Sequence, residues 1–349
     1  MLSDRIEAKW IDAFAHTFYM CEVKRGETIA ILSETQSRTL NVQLAELALA
    51  RYGAKLFTIV LPTPAQTAPV PVRSTGASGA VAGSEPVIKA LAACDMVVDL
   101  TVEGMLHAPE LPSILKDGAR LLFVSNEHPD VLERLVPEAA MKERIERGLA
   151  MLKAAQEMHV TSDAGTDLRI RVAGAWAGGM KGWVTGKRAV DHWPGGLIAC
   201  FPQAGAVNGR IVLDAGDMNL TFKRYLDTPV MLTVADDFVT KVEGNGTDAA
   251  LMRSYFEAWG DRNAYAVSHV GWGMNARARW DAITMYDKRD INGTEQRVFA
   301  GNFLYSTGAN ERAKRFTLGH FDLPLRNCTI RLDNKTVVDN GKLTPELAA

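Results

Sequence analysis

Cysteine, histidine and net charge are all scarce in this 349-residue chain, and each shortage excludes a class of function. The four cysteines, Cys21, Cys94, Cys200 and Cys328, lie far apart with no C-x-x-C pair, so neither a zinc knuckle nor a dithiol redox site is spelled out. Buried, reduced thiols are the expectation. Lys and Arg total 39 against 41 Asp and Glu, a formal net charge of −2, and no run of five basic residues occurs. Such a chain offers no field for nucleic acid or for an anionic membrane surface. Long apolar runs are missing too, which predicts no membrane-spanning helix. The N-terminal MLSDRIEAKWIDAF mixes acids and bases at helical spacing where a signal peptide would be apolar, so the expected compartment is the cytoplasm.

What is present is ordinary globular material, 47% hydrophobic and 23% charged, in a length that exceeds one comfortable core and predicts two domains. The first half alternates short apolar runs with amphipathic stretches. Thr28–Leu32, Leu56–Val60, Met96–Leu100 and Leu121–Val124 read as buried strands. Arg38–Tyr52 reads as a helix stopped by Gly53, and Ser84 with Pro86 opens another that runs to about Ala93. Strand and helix in alternation predict a parallel sheet covered by helices. The turn after the first strand, SETQSRT, lacks the glycines a dinucleotide needs, so this Rossmann-like layer carries no nucleotide fingerprint. Pro62–Gly83 is a long Pro/Ala/Gly/Ser loop of the kind that is functional or interfacial. A charged helix, Glu138–Glu157, leads into a second half with strand-like segments at Leu168–Val172, Arg210–Leu213, Val230–Val234 and Thr329–Leu332. One helix around Tyr255, Phe256 and Trp259 is embedded there. The expected architecture is an α/β domain with a parallel sheet over residues 1–160, then an α+β, β-rich metal-binding domain over 161–349.

Seven histidines are few enough to weigh singly. His16, in the first helix, and His159, just before a strand, have no ligand partner near them in sequence and read as packing residues. Two H-x-D pairs exist. His128-Pro129-Asp130 falls where a helix begins, and capping accounts for it. His320-Phe321-Asp322 suits a strand, where residues two apart share a face, so that both side chains can converge on one ion while Phe321 points away. A third ligand would complete the two-His, one-carboxylate set that holds iron(II), and His269, in Ser268-His269-Val270-Gly271-Trp272-Gly273, is the best candidate. Spacing alone leaves open two unrelated histidines near strand ends. His192, in Asp191-His192-Trp193-Pro194-Gly195-Gly196, and His107, just beyond the Met96–Leu100 strand, are candidate acid/base groups, with local capping or packing as the alternative.

The stretches MLHAPELPSILKDGARLL, VDHWPGG, VLDAGDMNLTFKRY, SHVGWGMNARARW, GNFLYSTG and GHFDLPLRN, spread between about residues 90 and 335, resemble those of the 2,5-dihydroxypyridine 5,6-dioxygenases, iron(II) enzymes of bacterial nicotinate breakdown. The resemblance implies His269, His320 and Asp322 as Fe(II) ligands. It places His107, His192 and Ser306 around the substrate as proton-transfer and binding groups. It implies O2 and a small aromatic N-heterocycle as the molecules bound, ring opening between C5 and C6 to N-formylmaleamate, and a homo-oligomer, for which the long Pro62–Gly83 loop would suit a subunit contact. Trp193 and Phe321 are either ring-stacking walls or core. The stretch Gly174–Gly186 departs from the family pattern. The chain also resembles thermophilic-type metallo-aminopeptidases, which makes a metallo-aminopeptidase-like hydrolase the alternative. Those enzymes hold two metals with added glutamates, whereas here His269 stands where their ELGIG motif has its glutamate, which favours one metal.

Overall fold

The computed structural model describes residues 4–71 and 75–348. The four apolar runs of the first half form strands Thr28–Glu34, Lys55–Leu61, Met96–Asp99 and Arg120–Val124, all paired in parallel. Of the three inner strands, Met96–Asp99 and Arg120–Val124 are buried at every position, which is why they read as continuous apolar runs without alternation. Helix Thr39–Ala50 links the first two, and Gly53, at φ +65°, turns the chain after it in a conformation that costs glycine least. Helix Glu85–Ala92 carries Pro86 in its first turn, as expected. The fifth strand of this sheet, Val190–Trp193, pairs in parallel with Arg120–Val124, so the chain returns to the first layer from beyond residue 160.

The second half is antiparallel. One sheet of eight strands runs in the order Phe238–Glu243, Val230–Ala235, Val207–Leu213, Asp167–Arg171, Glu157–Ser162, Cys328–Leu332, Lys335–Asp339, Lys342–Leu343. A second, of five strands, runs Phe321–Leu325, Phe303–Thr307, Val267–Gly273, Leu197–Phe201, Trp176–Met180, and is called the site sheet below. The coarse expectation of a helix-covered parallel sheet followed by β-rich structure is met.

Three local readings need correction. The charged helix ends at Ala154, because the Asp333 carboxylate accepts from the backbone N–H groups of Gln156 and Glu157 and draws them into the sheet. His159 lies within that strand, its Nε2 2.8 Å from Asp167, not before it. His128 itself caps the helix Pro129–Arg134, its Nδ1 accepting from the Asp130 N–H, while the Asp130 carboxylate accepts from the Tyr286 hydroxyl. The four cysteines are buried free thiols, as expected. Trp193 and Phe321 belong to the core. The Trp193 indole packs edge-on to Phe14 at 5.0 Å and donates to the Leu135 carbonyl, and Phe321 sits among Tyr255, Phe256 and Phe222.

Candidate metal centre

Alternation along the site sheet puts Val270, Trp272, Phe303, Tyr305, Phe321 and Leu323 into the main core. The residues between them occupy the other face. Ser306 pairs with Asp322 across two strands. On the next strand Val267 faces Thr307 while Val270 faces Tyr305, so a bulge sets both Ser268 and His269 against the single residue Ser306. Val270 pairs with Cys200, which brings Phe201 beside His269, and Phe201 pairs in turn with Trp176. One row therefore crosses the sheet: Asp322, Ser306, His269, Phe201, Trp176.

His320 immediately precedes its strand and shares the parity of Asp322. Its backbone is clamped, with the N–H donating to the Tyr255 oxygen and the carbonyl accepting from the Tyr255 and Thr221 hydroxyls. The His320 Nε2 lies 3.2 Å from Asp322 Oδ2, and His269 Nε2 lies 3.7 Å from Asp322 Oδ1. The two imidazoles face each other at 6.0 Å, and His107 stacks on His269 at 6.1 Å. His107 is pressed there by Gly76 in the Pro62–Gly83 loop. Gly76 accepts from the His107 N–H at 2.7 Å, has φ +64°, and would put a Cβ 2.8 Å from the His107 ring. Ser78 of the same loop donates to Glu34, at the end of the first parallel strand. His192 sits at the carboxyl end of the parallel sheet, where open α/β sheets present ligand sites. Its Nδ1–H donates to the Pro194 carbonyl at 2.7 Å, which leaves Nε2 as the basic nitrogen.

Sequence reasoning missed Arg297. Its Nε donates to Asp322 Oδ2 at 2.6 Å. The short helix Thr294–Val298 that carries it is fixed by the buried Glu127, whose carboxylate accepts from the N–H groups of Asn292, Gly293 and Thr294. Nothing in the local pattern TEQRV marks this arginine, because its partner is 25 residues away and its helix is held from a different sheet. Phe201 and Trp176 were missed for the same reason.

Burial raises the cost of ionising Asp322, but Arg297 and then His320 outweigh it and hold the carboxyl well below its usual range. Burial drives the other way for the imidazoles. His269 falls to about 3 and His107 and His192 to about 4, so all three are neutral at physiological pH. Neutral imidazole nitrogens beside an ionised carboxylate are the protonation states a divalent cation requires.

Among the described residues no three His, Cys, Asp or Glu side chains are arranged as a ready metal cage, since Asp322 is engaged by Arg297 and Ser306. The donor chemistry nevertheless fits a cation. Ser268 donates its one hydroxyl proton to the Ala309 carbonyl, so its oxygen accepts from His269 Nδ1–H and turns the Nε2 lone pair inward. There Ser306 Oγ is within reach of both His269 Nε2, at 3.1 Å, and Asp322 Oδ1, with one proton for two acceptors. Lone pairs from His269 and Asp322 thus face the one hydroxyl of Ser306. Arg297 adds its field to Asp322, His269, His107 and His192 alike, which ties the four to one electrostatic site.

Residues 9–345 match the model of the NicX family, described as 2,5-dihydroxypyridine 5,6-dioxygenase. The chain is 35% identical over 338 residues to the 2,5-dihydroxypyridine 5,6-dioxygenase of Pseudomonas putida KT2440, covering 96% of this chain and 95% of the relative. A solved structure of 2,5-dihydroxypyridine dioxygenase from that organism superposes with a TM-score of 0.93 at 35% identity over the full length of both chains. Wild-type AmpT from Thermus thermophilus matches at a TM-score of 0.63 and 14% identity, over 96% of this chain and 99% of that one, a likeness of fold alone. With a family model spanning nearly the whole chain and a close relative of matching length, the protein belongs to the 2,5-dihydroxypyridine 5,6-dioxygenase family and is a ring-cleaving dioxygenase.

Proposed function

We propose that the protein is an iron(II) enzyme that opens 2,5-dihydroxypyridine, or a close hydroxypyridine, between C5 and C6, with both atoms of O2 entering the product N-formylmaleamate. The observation that carries this is the convergence of His269 Nε2, Ser306 Oγ and Asp322 Oδ1, with His320 Nε2 3.2 Å from the other oxygen of the same carboxylate. His269, His320 and Asp322 would hold the metal. Two neutral imidazoles and one carboxylate are the donor set that suits iron(II) and leaves positions open for substrate and O2. When bound, the iron supplies a redox-active centre at which the electron-rich ring and O2 meet.

The remaining roles belong to the chain's own side chains. His192 Nε2, unprotonated and backed by the Pro194 carbonyl, accepts the proton of a ring hydroxyl, and His107, also neutral, is the second group able to do so. Ser306 donates a hydrogen bond to the bound ring oxygen once its proton is no longer shared with Asp322. Arg297 fixes Asp322 and places positive charge beside the anionic ring. A cytoplasmic homo-oligomer is part of the same proposal. So is a division near residue 160, with the first part supplying His107 and the second the metal donors. No helix among the described residues is long and apolar enough to cross a membrane.

Anaerobic loading with iron(II), followed by oxygen uptake on 2,5-dihydroxypyridine, tests the reading. One iron per chain and stoichiometric oxygen consumption are expected, with His320→Ala losing both metal and turnover. Retained activity in that variant sinks the ligand set. Two metals per chain with peptide hydrolysis would point to the hydrolase.

A further inference from the structure

The row of site residues does not stop at His269. Beyond it the Phe201 ring lies 5.3 Å from His269 and 5.7 Å from His107, and Trp176 meets Phe201 edge-on at 5.6 Å. Exposure rises along this line, from 7% at His269 to 45% at Trp176, so the row leads from the buried centre to solvent. The indole is positioned. Two residues on along the same face, a Cβ at Gly178 would come within 2.6 Å of the far edge of the indole, so the ring folds back over this bare position. The Arg312 guanidinium, from the loop after the Phe303–Thr307 strand, stands 5.8 Å from the same ring. A large aromatic flanked by Phe201, Gly178 and Arg312 yet left half exposed is suited to receive a flat ring.

We propose that Trp176 is a specificity-determining residue, the outer wall of the substrate entrance, stacking on the flat aromatic substrate and setting which hydroxylated rings are admitted. This rests on the dioxygenase reading above. The wall acts on capture rather than on the chemical step, so Trp176→Ala in the iron-loaded enzyme raises KM for the hydroxypyridine about tenfold, corresponding to ~1.4 kcal/mol, with kcat within about twofold and iron content unchanged. It also shifts kcat/KM toward bulkier ring-substituted hydroxypyridines. Trp176→Phe keeps most of the affinity. Gly178→Ala, which retains the tryptophan but displaces it, behaves like Trp176→Ala.

Wild-type enzyme that fails to turn over 2,5-dihydroxypyridine would refute the functional reading, not the wall. For that case, iron-loaded enzyme held without O2 is titrated with 2,5-dihydroxypyridine and with catechol, and the fluorescence of wild type is compared with that of Trp176→Phe. The wall predicts quenching in wild type that is lost in the variant. Unchanged KM in both Trp176→Ala and Gly178→Ala, or equal quenching in the two proteins, overturns the proposal.

Discussion

The ion pair between Arg297 and Asp322 is the sharpest place to test the electrostatics, because both side chains are removed from water, at 12% and 3% exposure, and meet at 2.6 Å. Two charges with centres about 4 Å apart attract by ~4 kcal/mol at an effective dielectric of about 20. Breaking one partner of a buried pair costs about 3–5 kcal/mol, because the other charge is stranded. Arg297→Met keeps the bulk of the side chain and removes only its charge and donors. In chelator-treated protein this variant is expected to lose about 3–5 kcal/mol in urea unfolding followed by far-ultraviolet circular dichroism. Asp322 retains Ser306 and the His320 and His269 imidazoles beside it. Saturation with iron(II) under anaerobic conditions should shrink the loss to below about 1.5 kcal/mol, since a cation on Asp322 compensates the same charge. An equal loss with and without iron would show that Asp322 does not face the metal. A loss under about 1 kcal/mol in chelator would show that the pair is solvated, and the reasoning from burial would fall.

Other consequences are open to direct measurement. His192 titrates near 4 in the folded chain, below the 6.5 of a free imidazole, so the unfolded state takes up its proton first as pH falls. Its contribution is complete above about pH 6.5 and is lost as pH falls toward 4, roughly 3 kcal/mol in all at 1.36 kcal/mol per pKa unit. Urea titrations of wild type and His192→Gln between pH 7.5 and 4.5 should diverge by that slope, and parallel curves would contradict it. Gly76→Ala sets a Cβ 2.8 Å from the His107 ring, and a displacement of that order can cost about a hundredfold in rate; steady-state kinetics should show kcat falling, together with a loss of about 1–2 kcal/mol in urea unfolding for an alanine held in the left-handed region. Glu127→Ala strands three backbone N–H groups at the start of the Arg297 helix. A loss of at least about 3 kcal/mol follows at ~1 kcal/mol or more each, together with weakened iron retention on dialysis.

Much of the layout could be read from the chain because it rests on local patterns. Four apolar runs, each bounded by turns, sufficed for the parallel sheet, and period-two alternation put His320 and Asp322 on one side of Phe321. Spacing could not separate the two H-x-D pairs. At His128-Pro129-Asp130 the imidazole caps a helix and the carboxylate turns to Tyr286, so the side chains diverge. What stayed hidden depends on pairing between distant segments. The strand Val190–Trp193 is four residues long and gives no sign that it closes the first sheet. The bulge that sets His269 opposite Ser306 exists only relative to its partner strand. Arg297, Phe201 and Trp176 acquire meaning only when the site sheet is assembled.

The alternation that made the pair legible also links the site to the core. Each proposed donor is flanked by a fully buried neighbour on its own strand: Val270 beside His269, Tyr305 beside Ser306, Phe321 between His320 and Asp322. A side chain on one face of a strand can move only if the backbone moves, and the backbone is held by those neighbours on the other face. Phe321 is the most constrained of them, packed at 4.4 Å from Tyr255, whose hydroxyl also grips the His320 backbone. A cavity made there disturbs two proposed ligands at once, through packing alone. Loss of Arg297, by contrast, changes the charge at Asp322 and leaves the packing behind it intact. The site thus has two separable supports, an apolar one that fixes where the donors stand and an electrostatic one that fixes how strongly the carboxylate is held as an anion.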